Sequence, residues 1–488
     1  MTRLIITHEL KNLFFSPRFT ATFAVSTALL LLSVLVGIGQ YERSMRQYET
    51  TTALVRQEQR ESRGWMGLSA TVLRRPDPMQ IFVSGVNDDV GRIAGVTNFT
   101  NVKLTHSTYS DDPIYAFFRF IDPAFIVTVV FSLLALLFTY DSVNGEAERG
   151  TLQLTFSNAV PRARYILGKF IGAWLGLALP LALPVLLSLL LLLVFRIPFT
   201  ADHWMRLAGF GAASLAYISF FIALGLFLST TTKRSSVSFL ASLVAWVCIV
   251  FIIPRAAVTV AGQIVPVPTV AEVEAERDAY NKDRWSQYES VMQRRWKERN
   301  EPTASMTAPE REAYREEHMW EWMEQDDKDR KDVQKDNDAF AFSSAERMRN
   351  TKGEQERLAF LLSRFSPASA FQLSAMTLAG TDISLKTRTE DALNVYRPQF
   401  IAYKEKKQKE NGNSGGVRIS MDSETGVKID VGRGNGALDL TGMPQYEDPV
   451  YTVHDALAPS IADIGLMGMF TLAAFAGAFV RFLRYDVR

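Results

Sequence analysis

Apolar residues along this chain are concentrated in blocks, with long polar stretches between them. Six blocks have the length and purity of membrane spans: residues 19–39, 121–140, 165–195, 207–228, 237–258 and 460–482. The first carries no charge, and at ~1.5 Å per residue it reaches about 31 Å, the thickness of a hydrocarbon core. The third is longer than a span needs and holds Pro180 and Pro184, which predicts a tilted or kinked helix. The sixth is rich in small residues (Gly465, Gly468, Ala473, Ala474), which let helix backbones approach closely. Basic residues gather beside one set of span ends: Arg3, Lys11, Arg149, Arg162, Arg164, Lys233, Arg234, Arg481 and Arg484. That bias predicts cytoplasmic termini, with a short cytoplasmic tail at 483–488. It leaves segments 40–120 and 259–459 on the opposite, extracytoplasmic side.

The polar stretches carry their own patterns. Residues 1–18 alternate apolar and charged positions and end at Ser16-Pro17, predicting an amphipathic helix in the membrane interface. In the larger outer segment, Trp285, Tyr288, Met292 and Trp296 recur at helical spacing over 270–299. Pro309 opens a charged helix to about Asp338, and a third helical stretch runs from about Ser344 to Phe365. Further helices are predicted over 368–379 and 389–409, with Gly380-Thr381 between them. After Gly412–Gly416 the period changes to two, Val417, Ile419, Met421 then Val427, Ile429, Val431, a β-hairpin signal. Segment 40–120 starts helical and becomes mixed after Gly64, and is expected to pack on its larger counterpart. The expected fold is therefore an α-helical membrane protein. Six transmembrane helices carry a mixed, mainly helical extracytoplasmic domain that ends in a small β-hairpin.

Composition narrows the function. Among 488 residues, 53 Lys+Arg balance 52 Asp+Glu, so the basic excess of a nucleic-acid binder is missing. One cysteine, Cys248, excludes a disulfide framework and cysteine-based metal sites. His8-Glu9-Leu10-Lys11-Asn12 begins like a zinc-peptidase signature but lacks the second histidine. Gly412–Gly416 and the glycine-rich run at 432–437 read as turns, not as nucleophile or dinucleotide loops. No Gly-x-x-x-x-Gly-Lys-Ser/Thr occurs, so the chain has no phosphate loop. His318, Met319 and Met323 share a predicted helix with Trp320 and Trp322. Together they could hold a soft ion such as Cu(I), or simply form a packing face.

The informative stretch is the cytoplasmic loop at 141–164. A short helix presenting Glu146, Glu148 and Arg149, then Gly150 and Thr151, is what a membrane subunit needs to dock on a soluble motor. A plain solvated connector would look the same by charge alone. The run Glu146-x-Glu148-Arg149-Gly150-Thr151-Leu152, with Ser157-Asn158-x-x-Pro161-Arg162 and Leu167-Gly168-Lys169, resembles the coupling-helix loop of type-two export permeases of ATP-binding-cassette (ABC) transporters. The interfacial first helix, six spans and the loop between spans two and three fit that resemblance. The long insertion between spans five and six is similar to that of relatives with enlarged outer domains. The resemblance implies a permease subunit in the cell (inner) membrane, not itself an enzyme, in contact with lipid. It implies a second permease chain, forming a homodimer, and two separate ATPase subunits that bind ATP and Mg, with no cofactor in this chain. Coupling to the ATPase would fall on Glu146, Glu148, Arg149, Gly150 and Thr151. ATP hydrolysis would drive export, or conformational work on an envelope partner. The alternative is a mechanotransmitting or scaffold protein that docks an outer partner without transporting a substrate.

Overall fold

The computed structural model describes residues 2–62, 64–65, 68, 70–96, 104–107, 121–158, 160–410, 417–422, 426–431 and 438–485. The turns expected at 412–416 and 432–437 lie outside them. The chain divides into two compact units, one of Met1–Ile252 with Ser366–Arg488 and one of Ile253–Phe365.

In the first unit, α1 (Thr2–Phe14) is separated from α2 (Pro17–Glu61) by Ser16, whose hydroxyl accepts from Phe19 N–H and caps α2. Helix α2 does not stop at residue 39. Its 45 residues are ~68 Å long, about twice a hydrocarbon core. No glycine or proline follows Gly39 until Gly64, so nothing in 40–61 ends the helix. Next comes an antiparallel three-stranded sheet, β1 (Ala70–Leu73), β2 (Ile93–Val96) and β3 (Leu104–Thr105), with β2 in the middle. Helix α3 (Pro123–Leu137) contains a π-helical turn at Ile126–Phe131. Then come α4 (Asn144–Glu148), α5 (Thr151–Ser157), α6 (Arg162–Val194), α7 (Ala201–Thr231) and α8 (Ser235–Ile264).

Among the described residues five helices, α2, α6, α7, α8 and α13 (Val453–Leu483), are long and apolar enough to cross a membrane. The sixth expected span, 121–140, forms only the shorter α3. The Asp122 carboxylate accepts from Phe125 N–H and starts α3 late. Beyond Leu137 the chain turns at once toward α4. Thr200 and Thr452 each form a capping box, starting α7 and α13 several residues before their apolar runs. Helix α7 is the most enclosed of the five, with 56% of its apolar window buried against 17–33% in the others. Its Tyr217 stacks on Phe371 of α11 (Pro367–Ala379). On α6, Leu179, Leu183, Leu186, Leu190 and Leu193 form one exposed stripe, the face a lipid would cover.

The three-stranded sheet packs on α12 (Ser384–Glu410): Trp65, Ala70, Val72, Ala94 and Val96 share a core with Leu393, Tyr396 and Phe400. The described part of segment 40–120 thus does pack on a later segment, as its shortage of apolar surface required. Strands β4 (Val417–Asp422) and β5 (Gly426–Val431) pair antiparallel, Val417 opposite Val431 and Asp422 opposite Gly426.

The second unit holds the end of α8, then α9 (Val270–Asn300) and α10 (Ala308–Ser363). The two helical stretches expected at 310–338 and 344–365 are one 56-residue helix, because residues 339–343 contain no glycine or proline to divide them. Helix α9 buries no residue. It is joined to α10 by ion pairs, Arg295 with Asp326 and Asp329 and Arg299 with Asp326, and by a 3.9 Å stack of Tyr280 on Phe340.

Candidate functional site

Helices α4 and α5 occupy the middle of the loop between α3 and α6. Gly150, at φ +74°, makes the left-handed turn between them. Val143 and Leu152 are buried with Tyr165, Ile166, Leu226, Ala478 and Phe482, so the loop rests on an apolar cluster shared by α6, α7 and α13. Polar bonds add to that seat. Val143 N–H donates to the Ser229 hydroxyl (2.9 Å), the Asn144 side-chain amide donates to Thr232 (3.0 Å), and the Ser229 hydroxyl donates back to Asn144 (3.0 Å). Arg162 closes the far side by donating to the Leu483 (2.6 Å) and Tyr485 (3.0 Å) carbonyls at the end of α13.

Glu146 does not face solvent as the sequence suggested. It accepts from the Tyr165 hydroxyl at 2.6 Å and from the Lys169 ammonium, which also donates to Glu9 of α1. Lys169 is 4% exposed. Burial pushes the Glu146 carboxyl up. The Lys169 ammonium, with hydrogen bonds from Lys169 and Tyr165, outweighs that and holds it below its ordinary value. One cation therefore ties together α1, α4 and α6. The approach of α1 is permitted by a glycine ladder on α6. A Cβ at Gly168 would come within 2.9 Å of Ile5, at Gly172 within 2.7 Å of Glu9, and at Gly176 within 2.5 Å of Leu13.

Glu148 reaches the other way. Its carboxylate accepts from Ser235 N–H (2.8 Å) and the Ser235 hydroxyl (2.7 Å), capping the start of α8. Those bonds hold its carboxyl below the ordinary range. Arg149 bonds back to the Gly145 carbonyl (2.9 Å) yet remains exposed, as do Thr151, Leu154 and Asn158. Between α1 and the loop lies a cleft of about 780 Å³, lined among others by Leu4, Lys11, Glu146, Arg149 and Leu154. Leu4 and Leu154 are 72% and 68% exposed, an apolar pair flanked by Lys11 and Arg149.

Of the five loop residues read from sequence, the structure turns Glu146 inward and uses Glu148 as a cap. Arg149, Gly150 and Thr151 stay at the surface. Sequence reasoning did not bring Glu9, Tyr165 and Lys169 together around Glu146. A lysine one turn inside an apolar run and glycines at 168, 172 and 176 were the available signals.

Two groups could be considered for metal. His8, Glu9 and Glu146 bring ligand-capable atoms within 4.8 Å of one another, but the Lys169 ammonium is already bonded to both carboxylates and supplies the positive charge an ion would bring. On α10, His318 packs against Tyr314 (4.3 Å) and Trp322 (5.7 Å), and its Nδ1 is 2.9 Å from the Tyr314 carbonyl. Met319 and Met323 are 45% and 57% exposed beside it.

The sequence profile of a family described as "ABC-2 family transporter protein" matches residues 3–487. No curated protein matches the chain.

Proposed function

The chain belongs to the ABC-2 transporter family of export-type permeases, and from that premise we propose that its loop at 141–164 is the seat of an ABC ATPase subunit. ATP and Mg bind to that separate subunit. Two permease chains and two ATPases form the working complex, in the cell (inner) membrane with the permease termini in the cytoplasm. ATP-driven closure of the ATPases pulls on the loop and reshapes the spans, producing export or conformational work on an envelope partner. The observation that carries this reading is the Lys169 tie. A force on α4 reaches α6 and α1 directly through buried charge, while Arg149, Thr151 and Leu154 remain exposed for a partner. Glu148 extends the same path to α8.

The test is co-purification of the full chain with its ATPase from native membranes. Arg149→Glu with Leu154→Glu alters only exposed side chains, where stability costs stay within about ±0.5 kcal/mol. The variant is expected to insert normally and to lose the ATPase. An ATPase that stays bound and fully stimulated by the variant sinks the assignment.

A further inference from the structure

Strand β1 is one of the two edges of its sheet. On one side it pairs with β2, Ala70 opposite Val96 through Leu73 opposite Ile93, and Arg74 N–H continues that ladder to the Arg92 carbonyl at 3.0 Å. Among the described residues, no backbone hydrogen bond reaches β1 from its other side. Ala70 and Val72 are anchored in the core over α12, so the strand is fixed rather than frayed. All four of its residues line a cleft of about 460 Å³. One wall of that cleft is a single face of the long outer half of α2, Tyr48, Thr52, Val55, Arg56, Gln59 and Arg60 at helical spacing. Tyr396, Leu440, residues 442–446 and Asp448 complete its lining.

Three features of the cleft point to an occupant. A row of unpaired strand amides and carbonyls is a template for another strand, which would lie ~4.8 Å away. The Thr52 hydroxyl is buried and has no hydrogen-bond partner among the described residues. A buried polar group in that condition calls for a partner. Arg56 and Arg60 are exposed one turn apart, and neither makes an ion pair among the described residues, so the α2 wall offers two positive charges to the cleft. Main-chain complementarity asks for an extended segment, and the charge asks for an acidic one.

We propose that this cleft takes an extended, acidic segment of a partner protein as an added strand on β1, with carboxylates of the segment meeting Arg56 and Arg60. Backbone bonds to β1 supply affinity and the arginines select charge, the usual division of labour in strand addition. The site lies wholly within the first folded unit, so it is independent of the transport reading and of which ATPase docks elsewhere.

The full chain in nanodiscs of zwitterionic lipid, with both faces accessible, is titrated into a fluorescein-labelled peptide Val-Glu-Thr-Glu-Val-Glu and followed by polarisation. Saturable binding is expected. N-methylation of alternate peptide amides keeps every charge but removes strand pairing, and should abolish it. Arg56→Glu with Arg60→Glu should weaken binding about tenfold or more. The same variant should gain binding of the lysine counterpart, Val-Lys-Thr-Lys-Val-Lys. No saturable binding by the wild type overturns the proposal. So does undiminished binding of the N-methylated peptide, which would mean charge attraction alone. Loss of binding when anionic lipid is added to the nanodiscs, with no effect of N-methylation, would assign the arginines to headgroups and overturn it as well.

Discussion

Lys169 holds two carboxylates, Glu9 and Glu146, and all three side chains are withdrawn from water. Removing the cation alone would leave two buried negative charges facing each other. Breaking a buried ion pair at one partner costs about 3–5 kcal/mol, whereas replacing the whole group with neutral residues of similar shape is often nearly harmless. Lys169→Met should therefore lower the unfolding temperature of the purified chain sharply. The triple change Glu9→Gln, Lys169→Met, Glu146→Gln should recover most of that loss in the same calorimetric scan. Equal destabilisation by the single and the triple variants would show that packing, not charge, is what Lys169 supplies. The sequence could not announce this group, because Glu9, Glu146 and Lys169 are far apart in the chain and share no period. Glu148, Arg149, Gly150 and Thr151 were legible because they sit in one short motif. Even there, the motif could not tell that Glu148 caps α8 while Glu146 turns inward.

Elements were legible in proportion to how strongly composition marks their ends. Apolar runs located five long helices, and their true starts fell earlier, at Thr200 and Thr452, because capping threonines lie outside the apolar window. The extension of α2 to Glu61 and the fusion of two stretches into α10 were missed for the opposite reason. Both are polar, charged helices without an apolar stripe to mark their extent, and the one glycine inside α10, Gly353, lies away from the expected break at 339–343. Docking of α1 on α6 is the element-scale event on which the site depends, and it requires bare backbone at Gly172. A Cβ there would lie 2.7 Å from Glu9 Cβ, a stem atom with little room to move. Overpacking of this kind costs typically 1–3 kcal/mol. Gly172→Val should accelerate amide hydrogen exchange throughout α1, while Gly465→Val on α13, where no atom lies within 4 Å, should leave α1 protected as before. Unchanged exchange in the Gly172 variant would show that α1 is held without the glycine ladder.

At the scale of the whole molecule, the chain mixes two kinds of stability. The first unit buries aromatic and aliphatic side chains of α2, α3, α7, α11 and α13 in one continuous core. The second has hardly any core and is stitched by ion pairs between α9 and α10, each worth at most about 1 kcal/mol when exposed and weakened by salt. A paired polar hairpin of that kind suits an aqueous phase, and the charge bias of the span ends leads us to propose that it is extracytoplasmic. That assignment makes a direct prediction. In a Cys248→Ser background, a cysteine replacing Asn300 at the end of α9 should react with a membrane-impermeant maleimide added to intact cells or spheroplasts. A cysteine replacing Asn158 should react only after the membrane is opened. Both native side chains are at least partly accessible, so neither position should be silent for lack of access. Labelling at 158 but not at 300 from outside would invert the protein in its membrane and remove the 141–164 loop from any cytoplasmic ATPase.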